Sequence, residues 1–434
     1  MDTSDRIVII GAGVFGLSTA HQLASEGYTN ITVVDRYIPP VPDGSSVDIS
    51  RVIRFDYGDE VYLKIAYEAY KKWTEPKYKD IFFPSPFILS SNSESEMGRV
   101  YTQSCTSALD KHGLPWAPLE DADAAKNMYK SLSGTLAQPG FFGYTNEQAG
   151  WADAAKAIAQ LRDDCLELGV SFVSGRAGTV VKLESDAERK IKAARTLQGT
   201  VIKGDHFILS AGAWASSLVP FYNSTISTGQ VLGYMRLTDD EMKRLHDLPI
   251  CINFATGWFN FPPHPDTKML KVAIHGWGYT RSPTAFEKTQ VPHPVSSPPL
   301  VAARERQNFA PKDGVKRLRD GLREILPELA DRPFDRLALC WYTDTPTGDF
   351  IMDFHPDHQN LFIAGGGSGH AFKFLPVLGQ YVSKGLKGQL PKELAKKWRF
   401  RTEHQHDADV FKGDGSRGGP VRRALSEDEM MAKL

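Results

Sequence analysis

Cysteine is scarce: four in 434 residues (Cys105, Cys165, Cys251 and Cys340), with no CxxC pair. That excludes a disulfide scaffold and the common zinc and redox-dithiol patterns, so free thiols in a reducing compartment are expected. Net charge is nearly absent as well. Lys plus Arg number 51 against 52 Asp plus Glu, a formal charge of −1, which leaves no global field for a phosphate polymer, and no nucleic-acid partner is expected. Long apolar runs are missing. None approaches the ~20 residues of a membrane span. The first, Ile7–Ile10, runs into glycines with no basic leader before it and no small-residue cleavage site. Neither a membrane partner nor secretion is expected, and the chain reads as soluble and intracellular. No metal site is expected. What remains is ordinary globular content, 41% hydrophobic and 24% charged, in a chain long enough for about two to three domains.

The opening residues are the most informative. Arg6-Ile-Val-Ile-Ile10 is a β-branched run suited to a strand buried on both faces. Gly11-Ala-Gly-Val-Phe-Gly16 follows, then a helix over Leu17–Glu26 ended by Gly27, then a strand over Ile31–Val34 closed by Asp35. Strand, glycine turn, helix and strand make a βαβ unit with a parallel sheet. Gly11 permits the tight turn, Gly13 lets backbone approach a pyrophosphate, and Gly16 lets the helix pack on the strand. Free N–H groups of the helix start face the phosphates, and Asp35 is placed to accept ribose hydroxyls. A lone glycine motif is weak; the surrounding elements point to dinucleotide binding.

After Asp35 the α/β rhythm stops. Helices are expected over Glu60–Trp73, Trp151–Leu168 and Val315–Ile325, with another starting near Pro376. Strands are expected over Phe82–Leu89, interrupted by Pro84 and Pro86, and over Val170–Val173, Thr179–Leu183 and Leu361–Ala364, with a hairpin feeding a buried strand over Val201–Leu209. Leu218–Leu270 reads as an antiparallel sheet, Ser282–Pro299 as a surface loop, and the charged stretch from Lys392 as a tail. Nucleotide-type pieces recur at the start, at 170–214 and at 361–385. The expected fold is therefore α/β with an α+β second domain: a discontinuous Rossmann-like cofactor domain (1–85, 150–217 and 326–390), an inserted antiparallel-sheet substrate domain (86–149 and 218–325), and a C-terminal tail (391–434). An NAD enzyme would continue its βαβ alternation. Here Ile208-Leu-Ser-Ala-Gly-Ala213 and the glycines of 365–369 read instead as further approaches to one large cofactor, which favours FAD.

The glycine motif, Ser50-Arg-Val-Ile-Arg-Phe-Asp-Tyr-Gly58, Leu270-Lys-Val-Ala-Ile-His275, Cys340-Trp-Tyr-Thr-Asp-Thr-Pro346 and Gly367-Ser-Gly-His-Ala-Phe-Lys-Phe374 occur in that order. Over roughly residues 5–390 the chain resembles the monomeric sarcosine oxidase family, which includes fructosyl amino acid oxidases (amadoriases), pipecolate oxidases and saccharopine oxidases. The resemblance implies a fold of the glutathione-reductase/D-amino-acid-oxidase type. It implies FAD held at Gly11, Gly13, Val14, Phe15, Gly16, Asp35 and Arg36, and again at Ser50 and Arg51. It carries further FAD contacts to Ala211, Gly212, Trp214 and Asp344, and to Gly367, Gly369, His370, Phe372 and Lys373. It implies a thioether from Cys340 to the flavin, whereas composition alone makes a cysteine a buried core thiol.

Lys271 and His275 alternate with apolar Leu270, Val272 and Ile274, so they share one strand face. The resemblance sets this lysine over the flavin, where a fixed cation helps O2 accept its first electron; the plain alternative is a solvated strand lysine. Arg51 and Arg54, three apart, read as sharing a helical or turn face. By resemblance Arg54 and Lys373 clamp a substrate carboxylate. Two residues depart from amadoriases of this family, which carry Glu in place of His275 and Lys in place of Arg51; both departures count against fructosyl substrates. The expected activity is an FAD-dependent oxidase of secondary amino acids, converting a C–N bond to an imine and O2 to H2O2. The alternatives are an amadoriase and an FAD-binding protein without turnover. The terminal Ala432-Lys433-Leu434 is close to a Ser-Lys-Leu address, which implies a peroxisomal import receptor as partner.

Overall fold

In the computed structural model, residues 1–282, 296–299, 308–407 and 409–431 are described. Four sheets organise them. The first has six strands in the order Ile351–Phe354, Leu361–Gly365, His206–Leu209, Ile7–Ile10, Ile31–Val34 and Ser171–Val173. All neighbours are parallel except the Ile351–Phe354 edge. Ile7–Ile10 is central and buried at every residue, because helices cover one face and other chain the opposite one. The Val14–Ser25 helix packs against Leu375–Leu386 and Ala154–Glu167.

The glycine turn has a steric cause. A Cβ on Gly16 would lie 1.9 Å from the Gly11 carbonyl oxygen, and one on Gly11 (φ +111°) 2.4 Å from the Ser210 carbonyl oxygen. Strand, turn and helix therefore fit only with hydrogen at both positions.

The largest sheet is mainly antiparallel and built around the long strand Ile226–Arg236. On one edge this strand pairs with Met269–Ile274, and on the other with Arg336–Asp344. Phe87–Ser91, Ala117–Leu119 and Phe142–Asn146 extend the sheet. Two smaller sheets remain: an antiparallel meander of Val180–Ser185, Ile191–Thr196 and Val201–Lys203, and Arg51–Ile53 with Gly150–Ala152 and Phe82–Pro84.

Several expectations need correction. The buried strand expected at the end of Val201–Leu209 is His206–Leu209 in the parallel sheet, but no hairpin feeds it: Val201–Lys203 closes the meander instead. Asp153 caps the helix read from Trp151, which starts at Ala154 after a strand over Gly150–Ala152. The interruption expected in Phe82–Leu89 is there: Phe82–Pro84 and Phe87–Ser91 are separate strands, since Pro86 cannot donate to a ladder. Arg51 lies on a strand, not a helical face. Arg336–Asp344, expected with the cofactor segments, belongs to the large sheet. The stretch from Lys392 is partly structured: Lys392–Lys397 is helical, and Arg423–Ala424 pairs with Tyr279–Thr280. Most of the Ser282–Pro299 loop, and Ala432-Lys433-Leu434, lie outside the described residues. Among the described residues no helix is long and apolar enough to cross a membrane.

Candidate functional site

One elongated cavity runs from the Gly11 turn to the large sheet. At one end it is lined by Gly11, Gly13, Val14, Phe15, Asp35 and Arg36. Asp35 is held by N–H groups of Ala12 (2.7 Å) and Arg36 (2.6 Å). The Val14 N–H donates to the Ser46 hydroxyl at 2.9 Å. Ala211, Gly212 and Trp214 form the next wall, with the Arg36 guanidinium stacked 4.2 Å from the Trp214 ring. Gly16 stays behind the wall as the packing glycine.

The other end is where the charges gather. Lys271 is 1% exposed. Its strand is buried from Leu270 to Ile274, so it is no solvated edge; Leu270, Val272 and Ile274 face the core while Lys271 faces the cavity. Its Nζ donates to the Ser50 carbonyl (2.7 Å), lies 2.9 Å from Asp48 Oδ2, and sits 4.4 Å from the Phe261 ring centroid. Burial pushes its pKa down to about 7, with Asp48 opposing the shift and Arg51 adding to it. Asp48 also pairs with Arg51 at 2.7 Å and accepts from the Tyr234 hydroxyl at 2.8 Å. It is the buried counter-ion that the sequence reading did not single out. No pattern marks it: an acid two residues before Ser50 reads as loop.

Cys340 lines the cavity 3.7 Å from Arg51 Nη2. Cys105 and Cys165 are core thiols that burial pushes up to about 12, and burial raises Cys251 too. Only Cys340 among the four lines this cavity.

Arg54 is buried, with its guanidinium carbon 5.0 Å from the Tyr57 ring centroid and 5.5 Å from that of Phe87. Its Nη1 is buried without a hydrogen-bond partner. Leaving such a donor unmade is costly, so an anion is the ligand it fits. Lys373 lies in the same wall and donates to the Tyr57 hydroxyl (2.9 Å) and the His370 carbonyl (3.0 Å). The chain continues: Tyr57 meets His370 Nδ1 at 2.9 Å, and His370 Nε2 meets the Gly348 carbonyl at 2.8 Å. A carbonyl only accepts, so Nε2 carries the proton and Nδ1 accepts from Tyr57. Burial and the nearby Lys373 push His370 down to about 3, so it is neutral at physiological pH. Burial and Arg54 hold Lys373 well below its usual value, a cation short of an anion.

His275 faces the same space. Its Nε2 is 3.1 Å from the Ser416 hydroxyl, which donates to Asp414 at 2.5 Å. The hydroxyl proton is committed to the carboxylate, so Nε2 donates to Ser416 and Nδ1 is left as an acceptor. Burial and Arg417 keep the ring neutral. Asp344 does not line the cavity: it pairs with Arg417 and accepts from the Thr228 hydroxyl at 2.6 Å. Ser50 keeps its hydroxyl buried without a partner, and Gly367, Gly369, His370, Phe372 and Lys373 all line the cavity.

The segment 412–419, read only as tail, was missed. Lys412 and Gly413 N–H groups donate to the Pro346 carbonyl. The Arg417 guanidinium reaches Asp344, Ser368 O (2.9 Å) and Gly276 O (3.3 Å). This strap brings Asp414 and Ser416 into the wall.

The residues fit FAD. Two glycines clear a backbone path beside a helix start, Asp35 lines that end, and the unpartnered Arg54 Nη1 belongs to the far wall, while Ser50, expected at the cofactor, does not line the cavity. Among the described residues no cluster of three His, Cys, Asp or Glu is suited to a metal.

The comparisons with known proteins agree. The family described as FAD dependent oxidoreductase matches residues 6–384. The L-saccharopine oxidase of Schizosaccharomyces pombe is 32% identical over 420 residues, covering 92% of this chain and 94% of that one. A monomeric sarcosine oxidase of Bacillus sp. is 24% identical, covering 88% and 92%. Among solved structures, the fructosamine oxidase (Amadoriase II) of Aspergillus fumigatus superposes with a TM-score of 0.85 at 28% identity, covering 98% of this chain and 96% of that one.

Proposed function

The chain belongs to the FAD-dependent oxidoreductase family, and on that premise we propose that it oxidises the C–N bond of secondary amino acids, with O2 as acceptor. The observation that carries this reading is the buried, unpartnered Nη1 of Arg54 beside Lys373 in the cavity that also holds Lys271. Those two cations are a carboxylate receptor. Bound FAD supplies the two-electron redox step. The protein's part is to bind and orient. Arg54 and Lys373 hold the carboxylate, and His275 Nδ1 accepts a hydrogen bond from the neutral amine. The substrate loses two electrons and two protons, a hydride equivalent from carbon and the proton on nitrogen, to become an imine. An N-alkyl imine is then hydrolysed to an amine and a carbonyl compound, and O2 leaves as H2O2. Lys271 supplies a cation for the O2 half-reaction.

Three finer assignments belong to the same proposal. Cys340 bonds the flavin through its sulfur; its place in the cavity wall beside Arg51 supports this. The six-stranded sheet and its glycine turns carry FAD, while the large sheet presents Lys271 and His275 to the substrate. Ala432-Lys433-Leu434 directs peroxisomal import, tested by deleting the tripeptide and imaging the tagged chain.

The likeness to Amadoriase II favours fructosyl amino acids as a second reading. One screen separates the two: H2O2 release with sarcosine, pipecolate, saccharopine, N-methyl aromatic amino acids and fructosyl-glycine. Turnover of an N-alkyl or cyclic amino acid above fructosyl-glycine is expected. The reverse order establishes the amadoriase, and no turnover of any points to a binding protein. Within the preferred class, Lys373→Ala lowers kcat/KM at least about 30-fold, since a lost partner in a buried charge contact costs ~2 kcal/mol or more. Equal loss on a decarboxylated analogue removes Lys373 from the clamp.

A further inference from the structure

Each cation of the Arg54–Lys373 pair sits three residues from an aromatic partner. Arg54 and Tyr57 leave the Arg51–Ile53 strand in one stretch, while His370 heads the short helical turn Ala371–Phe374 that carries Lys373. Tyr57 stands where the two pairs meet. Its ring faces the Arg54 guanidinium, whose carbon is 5.0 Å from the ring centroid, and its hydroxyl accepts from Lys373 Nζ at 2.9 Å. Other aromatics fix the ring in place: Tyr62 stacks on it at 5.6 Å between centroids, and Phe374 lies at 6.1 Å. Arg54, Tyr57 and Lys373 are all buried, and Arg54 opposes the charge on Lys373. Two like charges side by side need something that holds them there.

A hydroxyl oxygen that accepts from Lys373 must send its own proton elsewhere, and His370 takes it. Its Nδ1 lies 2.9 Å from the Tyr57 hydroxyl, and its Nε2–H is committed to the Gly348 carbonyl at 2.8 Å. The imidazole is neutral, so Nδ1 offers a lone pair and no proton. Phe350 is stacked on this ring at 4.8 Å and Tyr62 meets it edge to face at 5.1 Å, which holds its plane. Burial pushes the Tyr57 phenol above its ordinary pKa, so the proton stays on it. Donation in the chain therefore runs one way, from Lys373 to Tyr57 to His370 to Gly348. A second N–H of Lys373 goes to the His370 carbonyl at 3.0 Å. An ammonium has three, and the third is left for the cavity that Lys373 lines.

We propose that Tyr57 is a positioning residue for the carboxylate receptor: its ring carries Arg54, its hydroxyl aims Lys373, and His370 sets the direction of the hydroxyl proton. This rests on the oxidase reading above and adds no group at the reacting atoms. A tyrosine that served packing alone would not spend its hydroxyl on one cation and its ring on the other. The gain is preorganisation. Donors already fixed in place need no further ordering when a carboxylate arrives, so more of the contact energy appears as affinity.

The test sets a secondary amino acid against the amine that lacks only its carboxylate: pipecolate against piperidine, or sarcosine against dimethylamine. Cyclohexanecarboxylate, which has the carboxylate without the amine, is a binding probe read from the flavin absorbance of the intact flavoprotein. Tyr57→Phe keeps the ring and removes the hydroxyl. It is expected to lower kcat/KM for the amino acid at least about tenfold, or ~1.4 kcal/mol, and to weaken cyclohexanecarboxylate by a similar factor, with the plain amine changed far less. His370→Leu removes the acceptor for the hydroxyl proton and is expected to lower the ratio of amino acid to amine as well. The double variant is expected to lose less than the product of the two, because both break one chain. Equal loss on amino acid and amine overturns the proposal, since a tyrosine that only packs affects both alike. Unchanged binding of cyclohexanecarboxylate by Tyr57→Phe overturns it too, as does no binding by wild type. Where Tyr57→Phe loses its flavin, His370→Leu decides: a ratio equal to that of wild type defeats the assignment. Wild type that oxidises neither amino acid sinks the oxidase reading instead, while the binding arm still tests Tyr57, so the two failures are distinguishable.

Discussion

Lys271 holds its charge where water cannot support it, and that makes the residue sensitive to pH. Its pKa is pushed down to about 7 by burial, so the ammonium is lost as pH rises through that value. A cation that assists O2 therefore fades over the same range. Reoxidation of reduced enzyme is expected to slow as pH rises past about 7, and Lys271→Met to be at least about tenfold slower, ~1.4 kcal/mol, and flat with pH. Anaerobic reduction should change far less. Stopped-flow mixing of reduced enzyme with O2 measures it, and a wild-type rate that climbs with pH defeats the assignment. Asp48 sets this behaviour: it is the carboxylate that opposes the depression and bridges Lys271 to Arg51.

At the scale of elements, the Gly11–Gly16 turn is the least tolerant piece. Gly16→Ala places a methyl 1.9 Å from the Gly11 carbonyl, and backbone cannot swing away as a long side chain can. Such overpacking costs ~1–3 kcal/mol or more. It displaces the helix start that faces the phosphates, so the variant is expected to lose most of its FAD and melt lower than wild type. The ratio of flavin to protein absorbance, with a thermal melt, checks this; full loading at an unchanged Tm shows that the turn is not the phosphate cradle. The same turn was readable in advance because its constraint is local: three glycines, a β-branched strand before and a helix after. The Met269–Ile274 strand was readable for the same reason, through its period of two. The Val201–Leu209 hairpin was misread because turn chemistry reports a reversal but not which sheet each arm joins.

For the whole molecule, the residues that line the cavity come from sites far apart in sequence, among them 11–15, 35–36, 211–214, 340, 367 and 369–373. A group bridging them stabilises the native state by mass action. If Cys340 bonds the flavin, acid precipitation of wild type gives a yellow pellet, while Cys340→Ala gives a colourless one with FAD in the supernatant. The melting temperature of Cys340→Ala should then rise with added FAD, by an equivalent of ~2.7 kcal/mol at 100 times Kd, while wild type stays constant. A colourless wild-type pellet from loaded enzyme rules the bond out.

Sequence alone determined the features whose cause lies within one turn or strand: the glycine cradle, Asp35 at a strand end, the helix over Glu60–Trp73, and the alternation that puts Lys271 and His275 on one face. Resemblance across ordered motifs added Arg54, Lys373 and Cys340 as a set. Tertiary structure decided what depends on distance along the chain. It set Asp48 beneath Lys271, 223 positions later in numbering. It folded residues 412–419 back over the cavity, so that Asp414 and Ser416 meet His275, and turned Asp344 toward Arg417. Such pairings leave no periodicity. They arise because a buried charge must find its partner wherever the fold brings one, and that partner need not be near in the chain.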